Sequence, residues 1–244
     1  MTTLQHSGAP VAQEHAVWAF VQVMVLGALN DLTGLGLAGW LAGLAYGAAT
    51  WVLLSGAMRR SGTAVLGPAD RVTLLRGLLV GGVTALVVTG TGSTALLVTL
   101  AGVALALDFV DGQVARRTGT ASALGARFDM EVDAFLILVL SVHVAFAVSP
   151  WALLIGLMRY LFVAASWALP WLSGPLRPSF ARKAVAAAQG ILLVAAASGV
   201  VPHGEALVAL ALAALAASFG RDIVWLWTSR VVPVSAPTEG CSYV

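Results

Sequence analysis

Eight stretches of mostly apolar residues follow one another along this 244-residue chain, at roughly 16–29, 35–57, 72–90, 94–115, 124–148, 151–171, 184–201 and 205–228. The first is short. The other seven are near the ~20 residues that a helix needs to cross the hydrocarbon core of a bilayer. In hydrocarbon each backbone N–H and C=O must be paired within the protein, so runs of this kind settle as helices. With 59% apolar residues, 10% charged residues and a mean hydropathy of +0.93, the chain has too little polar surface for a soluble domain. The expected fold is an all-α integral membrane protein.

The cations orient it. None of the thirteen Lys and Arg residues falls in the connections near 30–34, 90–93, 149–150 or 202–204. Arg59, Arg60 and Arg71 lie in or beside the 58–71 connection, Arg116 and Arg117 follow the fourth stretch, Arg177, Arg182 and Lys183 stand between the sixth and seventh, and Arg230 follows the eighth. The positive-inside rule assigns the basic set to the cytoplasm. Both termini are then cytoplasmic, in a multi-pass protein of the cell (inner or plasma) membrane. The expected division is a cytoplasmic tail over 1–15, two additional N-terminal transmembrane helices over 16–57, and a polar cytoplasmic junction over 58–71. A six-helix transmembrane domain over 72–228 and a flexible cytoplasmic tail over 229–244 follow. The polar start, Met1 to Ala16, has no basic segment ahead of the first apolar stretch, which is therefore expected to be retained as a helix. The lone Cys241 allows no disulfide within one copy. The net charge of +2 is too small to point to a nucleic-acid partner. Gly39, Gly43 and Gly47, spaced by four, read as a helix-packing seam.

Against this background, five of the eleven acidic residues crowd between Asp108 and Asp133. Carboxylates at membrane depth persist mainly when they pair, hold a cation or line a wet cavity. On helices Asp108 and Asp111 are i,i+3 and Asp129 and Asp133 are i,i+4, so each pair shares a face. Two such helices side by side aim four carboxylates at one point, where a hard divalent cation is the natural occupant. Glu131 faces away from that point. Taken alone, the acids would equally suit a cation transporter or channel.

The full window is more specific. It reads Asp108-x-x-Asp111-Gly112-x-x-Ala115-Arg116, then eight residues, then Gly125-x-x-x-Asp129-x-x-x-Asp133. This pattern resembles the CDP-alcohol phosphotransferase (CDP-alcohol phosphatidyltransferase) family of membrane enzymes of phospholipid synthesis. Upstream, Pro68-Ala-Asp70-Arg-Val-Thr73-Leu-Leu-Arg76 is similar to a second family element, with Asp70 where Asn is common. The resemblance spans about residues 68 to 228. It implies a six-helix catalytic core, displacement of CMP from a CDP-alcohol such as CDP-diacylglycerol by the hydroxyl of a second alcohol, and two Mg²⁺ or Mn²⁺ ions. Homodimers are common in the family. On this resemblance Asp108, Asp111, Asp129 and Asp133 would hold metal, and Asp133 would also be the base that takes the acceptor's proton. The CDP-alcohol would be bound by Asp108, Asp111, Gly112, Ala115, Arg116, Gly125 and Thr73. The small residues would make room for the cytidine, and Arg116 would meet the diphosphate. A cation pathway has no use for these small residues or for an arginine beside the acids.

The acceptor is left open among glycerol 3-phosphate, inositol phosphate, serine and a second phosphatidyl lipid. Arg159 reads as the basic residue placed deep within a span, and an intramembrane cation needs an anion. It is expected either to pair with one of the acids or, with Arg182, Lys183 and nearby Gln189, to hold an acceptor phosphate. Arg221 and Asp222 read as packing or interfacial residues, and His143 as a packing residue.

Overall fold

The computed structural model describes residues 11–61, 67–90, 93–118, 123–174 and 179–229. The side chains of 11–15, 61, 68–69, 109, 111–118 and 123–124 are excluded from that description. The 1–10 and 230–244 parts of the expected tails, and Arg177 and Arg230, lie outside the described residues. Eight α-helices account for nearly all of what is described: α1 Val11–Thr33, α2 Leu37–Ser61, α3 Pro68–Thr89, α4 Thr94–Thr118, α5 Ala123–Ala147, α6 Ala152–Ala168, α7 Phe180–Ser198 and α8 Gly204–Ser229. Six of them, α1, α2, α3, α5, α7 and α8, are long and apolar enough to cross a membrane. The apolar part of α4, Thr94–Asp108, and the whole of α6 are shorter. In α4 the apolar run ends where the acidic window begins.

Each helix coincides with one apolar stretch, but the ends carry local chemistry that hydropathy does not register. The sixth stretch was expected to run to 171, whereas α6 stops at Ala168. Pro170 disfavours helical backbone at Leu169, which sits at φ −125°, ψ 86°. A short 3₁₀ turn, Pro170–Ser173, follows. The seventh helix begins before its expected start at 184 because Ser179 caps it, its side-chain oxygen accepting from the Arg182 N–H at 3.4 Å.

Two of the base-free connections open on a glycine. Gly34 and Gly90, at φ +68°, close α1 and α3 in the left-handed conformation that glycine adopts freely. Their N–H groups donate back to Asn30 and Leu86 carbonyls at 2.7 and 3.0 Å.

At the centre is α3, which packs against α4, α2, α5 and α1. Two-thirds (67%) of its apolar span is buried, against 17% for each of α1 and α2. The main core runs from Leu26 on α1 through Val80, Val83 and Leu86 on α3 to Leu136 and Leu140 on α5, Leu193 on α7 and Ala211 on α8, while Leu54 and Met58 of α2 join Leu74 of α3 in a smaller cluster. The glycine seam of α2 docks the N-terminal pair onto α3. A Cβ at Gly39 would collide with Thr89 Oγ1 and stand 2.9 Å from the Ala85 carbonyl oxygen. A Cβ at Gly43 would reach within 2.6 Å of Leu26 on α1. The small residues therefore let one helix touch two neighbours, as their spacing suggests.

Candidate metal and nucleotide site

The site is built where α3, α4 and α5 meet. Asp129 and Asp133, one turn apart, stand on one face of α5, and Asp108 faces them from α4. One carboxylate oxygen from each of the three lies within 4.8 Å of the others. At 1.5 Å of rise per residue, Asp108 is about 15 Å from the Thr118 end of its helix and Asp133 about 15 Å from the Ala123 end of its own. The cluster therefore lies at one depth, in the half of the bundle nearer the basic connections.

A fourth residue completes the cluster. Arg76 on α3, about 12 Å from the helix start at Pro68, is 0% exposed and is the largest fully buried side chain among those described. Its Nη1 donates to Asp108 Oδ1 at 2.7 Å. Its Nη2 pairs with Asp129 Oδ1, lies 3.0 Å from Asp133 Oδ1, and donates to the Asp129 carbonyl at 3.2 Å. A planar guanidinium presents donors in two directions at once and stays charged when buried, which suits it to tie α3 to α4 and α5 together.

Arg159, at the middle of α6, has the anionic partner expected of a cation within a span, but Arg76 is the more deeply buried of the two. Arg159 is partly exposed and pairs through Nη2 with Glu131 Oε1 at 2.5 Å. That contact joins α5 to α6 on the face of α5 turned away from Asp129 and Asp133, the face expected for Glu131. Arg182 on α7 reaches Asp222 on α8 at 3.3 Å, and its neighbour Lys183 is exposed. Gln189 is buried and donates to the Ala211 carbonyl at 3.0 Å, tying α7 to α8. Arg159, Arg182 and Lys183 are thus spread over α6 and α7, which do not pack extensively on each other.

Thr73 is buried on α3 one turn before Arg76 and on the same side. Gly125 stands one turn before Asp129 on α5. The backbone of α4 continues as helix through Asp111, Gly112, Ala115 and Arg116, but the side chains of those four lie outside the described residues. Asp70, where the similar family element commonly has Asn, turns its Oδ2 back to accept the Gly67 N–H at 2.9 Å. It caps the helix that carries Arg76, a task that a side-chain oxygen of either residue can perform.

Sequence reasoning quoted Arg76 and gave it no role. The available signal was simple: it is a lone cation inside the third apolar stretch, and such a cation needs anions nearby.

The donor set fits a hard cation. Asp108, Asp129 and Asp133 supply only oxygen ligands, which suits Mg²⁺ or Mn²⁺ and not a thiophilic metal. Three carboxylates against one guanidinium leave a formal charge of −2 at the cluster. That excess is what a divalent ion would balance.

Among curated proteins and among solved structures, no significant match to the chain is found. The family model for CDP-alcohol phosphatidyltransferase matches residues 66–221, from just ahead of α3 into α8, and takes in the whole aspartate–arginine cluster. With well over half of its length matched, the chain belongs to the CDP-alcohol phosphatidyltransferase family and is a membrane-embedded transferase that uses a CDP-alcohol.

Proposed function

We propose that this enzyme transfers the phosphatidyl group of CDP-diacylglycerol to the hydroxyl of a small phosphorylated alcohol at the cytoplasmic face of the membrane, releasing CMP. The observation that carries this reading is the convergence of Asp108, Asp129 and Asp133 around the buried Arg76, at one depth in the half of the bundle nearer the basic connections. A diphosphate brought there from the basic side meets anionic ligands for Mg²⁺ or Mn²⁺, and the metal supplies charge neutralisation on the phosphoryl oxygens and the leaving CMP.

Asp108 and Asp129, with Asp111, hold the metal in this reading. Asp133, the deeper carboxylate of the α5 pair, would help to hold the metal and would accept the proton of the acceptor hydroxyl. A base must lie within reach of the proton that it removes, and Asp133 stands on the same face of α5 as its partner. Thr73 and Gly125, with Gly112, Ala115 and Arg116 on the last turns of α4, receive the cytidine diphosphate. Arg159, Arg182 and Lys183 serve the acceptor phosphate, for which the two arginines would exchange their present carboxylate partners. The rival reading, a cation pathway, is disfavoured by Arg76. A cation pathway has no use for a guanidinium fixed to three of its carboxylates, nor for the small residues Gly112, Ala115 and Gly125 beside them.

The test is CMP release by purified protein given CDP-diacylglycerol and, separately, glycerol 3-phosphate, inositol phosphate, serine and phosphatidylglycerol. Release that depends on a phosphorylated acceptor is the expected result. Release only with serine or the lipid acceptor would overturn the acceptor assignment, and no release with any acceptor would overturn the donor.

A further inference from the structure

The smaller hydrophobic cluster marks where the N-terminal pair, which lies outside the matched segment, meets the helices within it. Leu54 and Met58 of α2 and Leu74 of α3 are buried together, and Trp18 of α1 and Phe128 of α5 pack against them. Four arginines border this cluster. Arg59 and Arg60 directly follow Met58, Arg71 stands three residues before Leu74, and Arg127 directly precedes Phe128. All four are exposed. They also share a level. The apolar spans of α2, α3 and α5 are Leu37–Arg60, Asp70–Thr89 and Gly125–Ala147, so each arginine lies within two residues of the end of its span. That is the level at which lipid headgroups meet a spanning helix.

The deeper cations of the bundle are matched. Arg76 contacts three carboxylates, Arg159 pairs with Glu131, and Arg182 with Asp222. Arg59, Arg60 and Arg127 have no carboxylate partner among the described residues. Asp70, next to Arg71, is buried and turns its carboxylate to the Gly67 N–H. The connections 61–67 and 118–124, which adjoin these helix ends, contain no acidic residue. The chain thus gathers guanidinium groups from three packed helices and does not supply the anions to balance them. A guanidinium fork suits the paired oxygens of a phosphate. Basic clusters just beyond spanning helices attract anionic lipids.

We propose that the ends of α2, α3 and α5 form a binding surface for anionic phospholipid headgroups, held by Arg59, Arg60, Arg71 and Arg127. The position of the four arginines at the ends of the spans selects a lipid phosphate over a soluble one. Only 17% of the apolar span of α2 is buried, so the surface lies at the edge of the bundle, where lipid reaches it sideways. Bound headgroups relieve the repulsion among the arginines and bridge the N-terminal pair to the two helices that carry Arg76, Asp129 and Asp133.

The experiment places full-length protein in micelles that contain phosphatidylcholine and phosphatidylserine in equal parts, and counts bound lipids by native mass spectrometry. Wild type should retain phosphatidylserine over phosphatidylcholine. At about 1 kcal/mol for each basic residue near the headgroups, that preference should fall about fivefold in Arg127→Gln and about 25-fold in the Arg59→Gln/Arg60→Gln double variant. Lys183→Gln removes an exposed cation near the end of the α7 span, away from the cluster, and should match wild type. Raised salt should weaken the wild-type preference, because exposed charges are screened. The wild-type salt series needs no variant to fold, and none of these readouts needs turnover. Arginine variants that keep the wild-type preference overturn the proposal, as does a preference that salt leaves unchanged. An equal loss in Lys183→Gln would assign the effect to the general charge of this end and not to the four arginines. Displacement of phosphatidylserine by millimolar CMP or inorganic phosphate would assign the surface to a soluble phosphate, which also overturns it.

Discussion

Replacing Arg76 by methionine removes a cation that contacts three carboxylates and leaves a side chain of similar length to fill the space. Arg76 is completely buried, whereas the side chains of Asp108, Asp129 and Asp133 are 33%, 34% and 38% exposed. Two unit charges 4.8 Å apart, the outer limit of the oxygen separations here, repel by about 3.5 kcal/mol at an effective dielectric constant of 20. Water screens the outer third of each carboxylate, so the three pairwise terms do not add in full. Breaking a buried ion pair from one side typically costs about 3–5 kcal/mol, and the exposure places this case near the lower end, about 3 kcal/mol. A divalent cation can supply the missing charge. The thermal midpoint of Arg76→Met should therefore fall well below wild type in chelator, and millimolar Mg²⁺ should restore most of the loss. Wild type should gain less from Mg²⁺. Arg76→Lys should fall between the two, because a single ammonium cannot donate to Asp108 and Asp129 along two fixed directions. Arg76→Met as stable as wild type in chelator would refute the electrostatic account. A loss that Mg²⁺ does not relieve would refute the placement of a cation at the triad.

Removal of divalent cations by chelator should abolish CMP release and added Mg²⁺ or Mn²⁺ should restore it; full activity in chelator would exclude a metal role for the oxygen-only cluster. Asp133→Asn should lower turnover by ~10²-fold or more while CDP-alcohol binding persists, measured by isothermal titration alongside CMP release, and a wild-type rate would remove Asp133 as the base. In a Cys241→Ser background, Ser93→Cys at the base-free end should react with an impermeant thiol reagent applied to intact cells and Arg60→Cys should not; the reverse pattern would invert the protein in the membrane. Arg159→Gln should raise the KM for the acceptor and leave that for the CDP-alcohol unchanged, whereas equal effects on both, or loss of folded protein, would assign Arg159 to its ion pair with Glu131 alone.

The parts of this structure that could be read from the sequence are those set by local period and composition. Apolar runs of near-spanning length located all eight helices, and i,i+4 spacing placed Asp129 and Asp133 on one face with Glu131 opposite. The helix ends were less legible where capping and proline chemistry overrode hydropathy, as at Ser179 and Pro170. Arg76 was missed for a different reason. Its partners lie 32, 53 and 57 positions away, and no spacing rule links residues on three separate helices. The stack of Tyr46 of α2 on Phe135 of α5 was still less visible, because an aromatic residue in an apolar stretch is ordinary and only the fold brings the two rings together.

The charge balance of the cluster connects these separate features. Converging carboxylates without a cation among them repel one another. With Arg76 in place, the described part of the cluster keeps its three acids together in the absence of a metal, while the residual −2 still favours a divalent ion. A guanidinium rooted in the most buried helix would stay in place as a diphosphate arrived, so under the proposed function the site would not have to be rebuilt at each turnover. Such preorganisation is what electrostatic catalysis requires, since groups that need no rearrangement lower the barrier most effectively. The N-terminal pair docks mainly on this same helix, with a smaller contact from α2 to α5. The helix that fixes Arg76 is the one whose position matters most, and the glycine seam holds α2 against it at backbone contact distance.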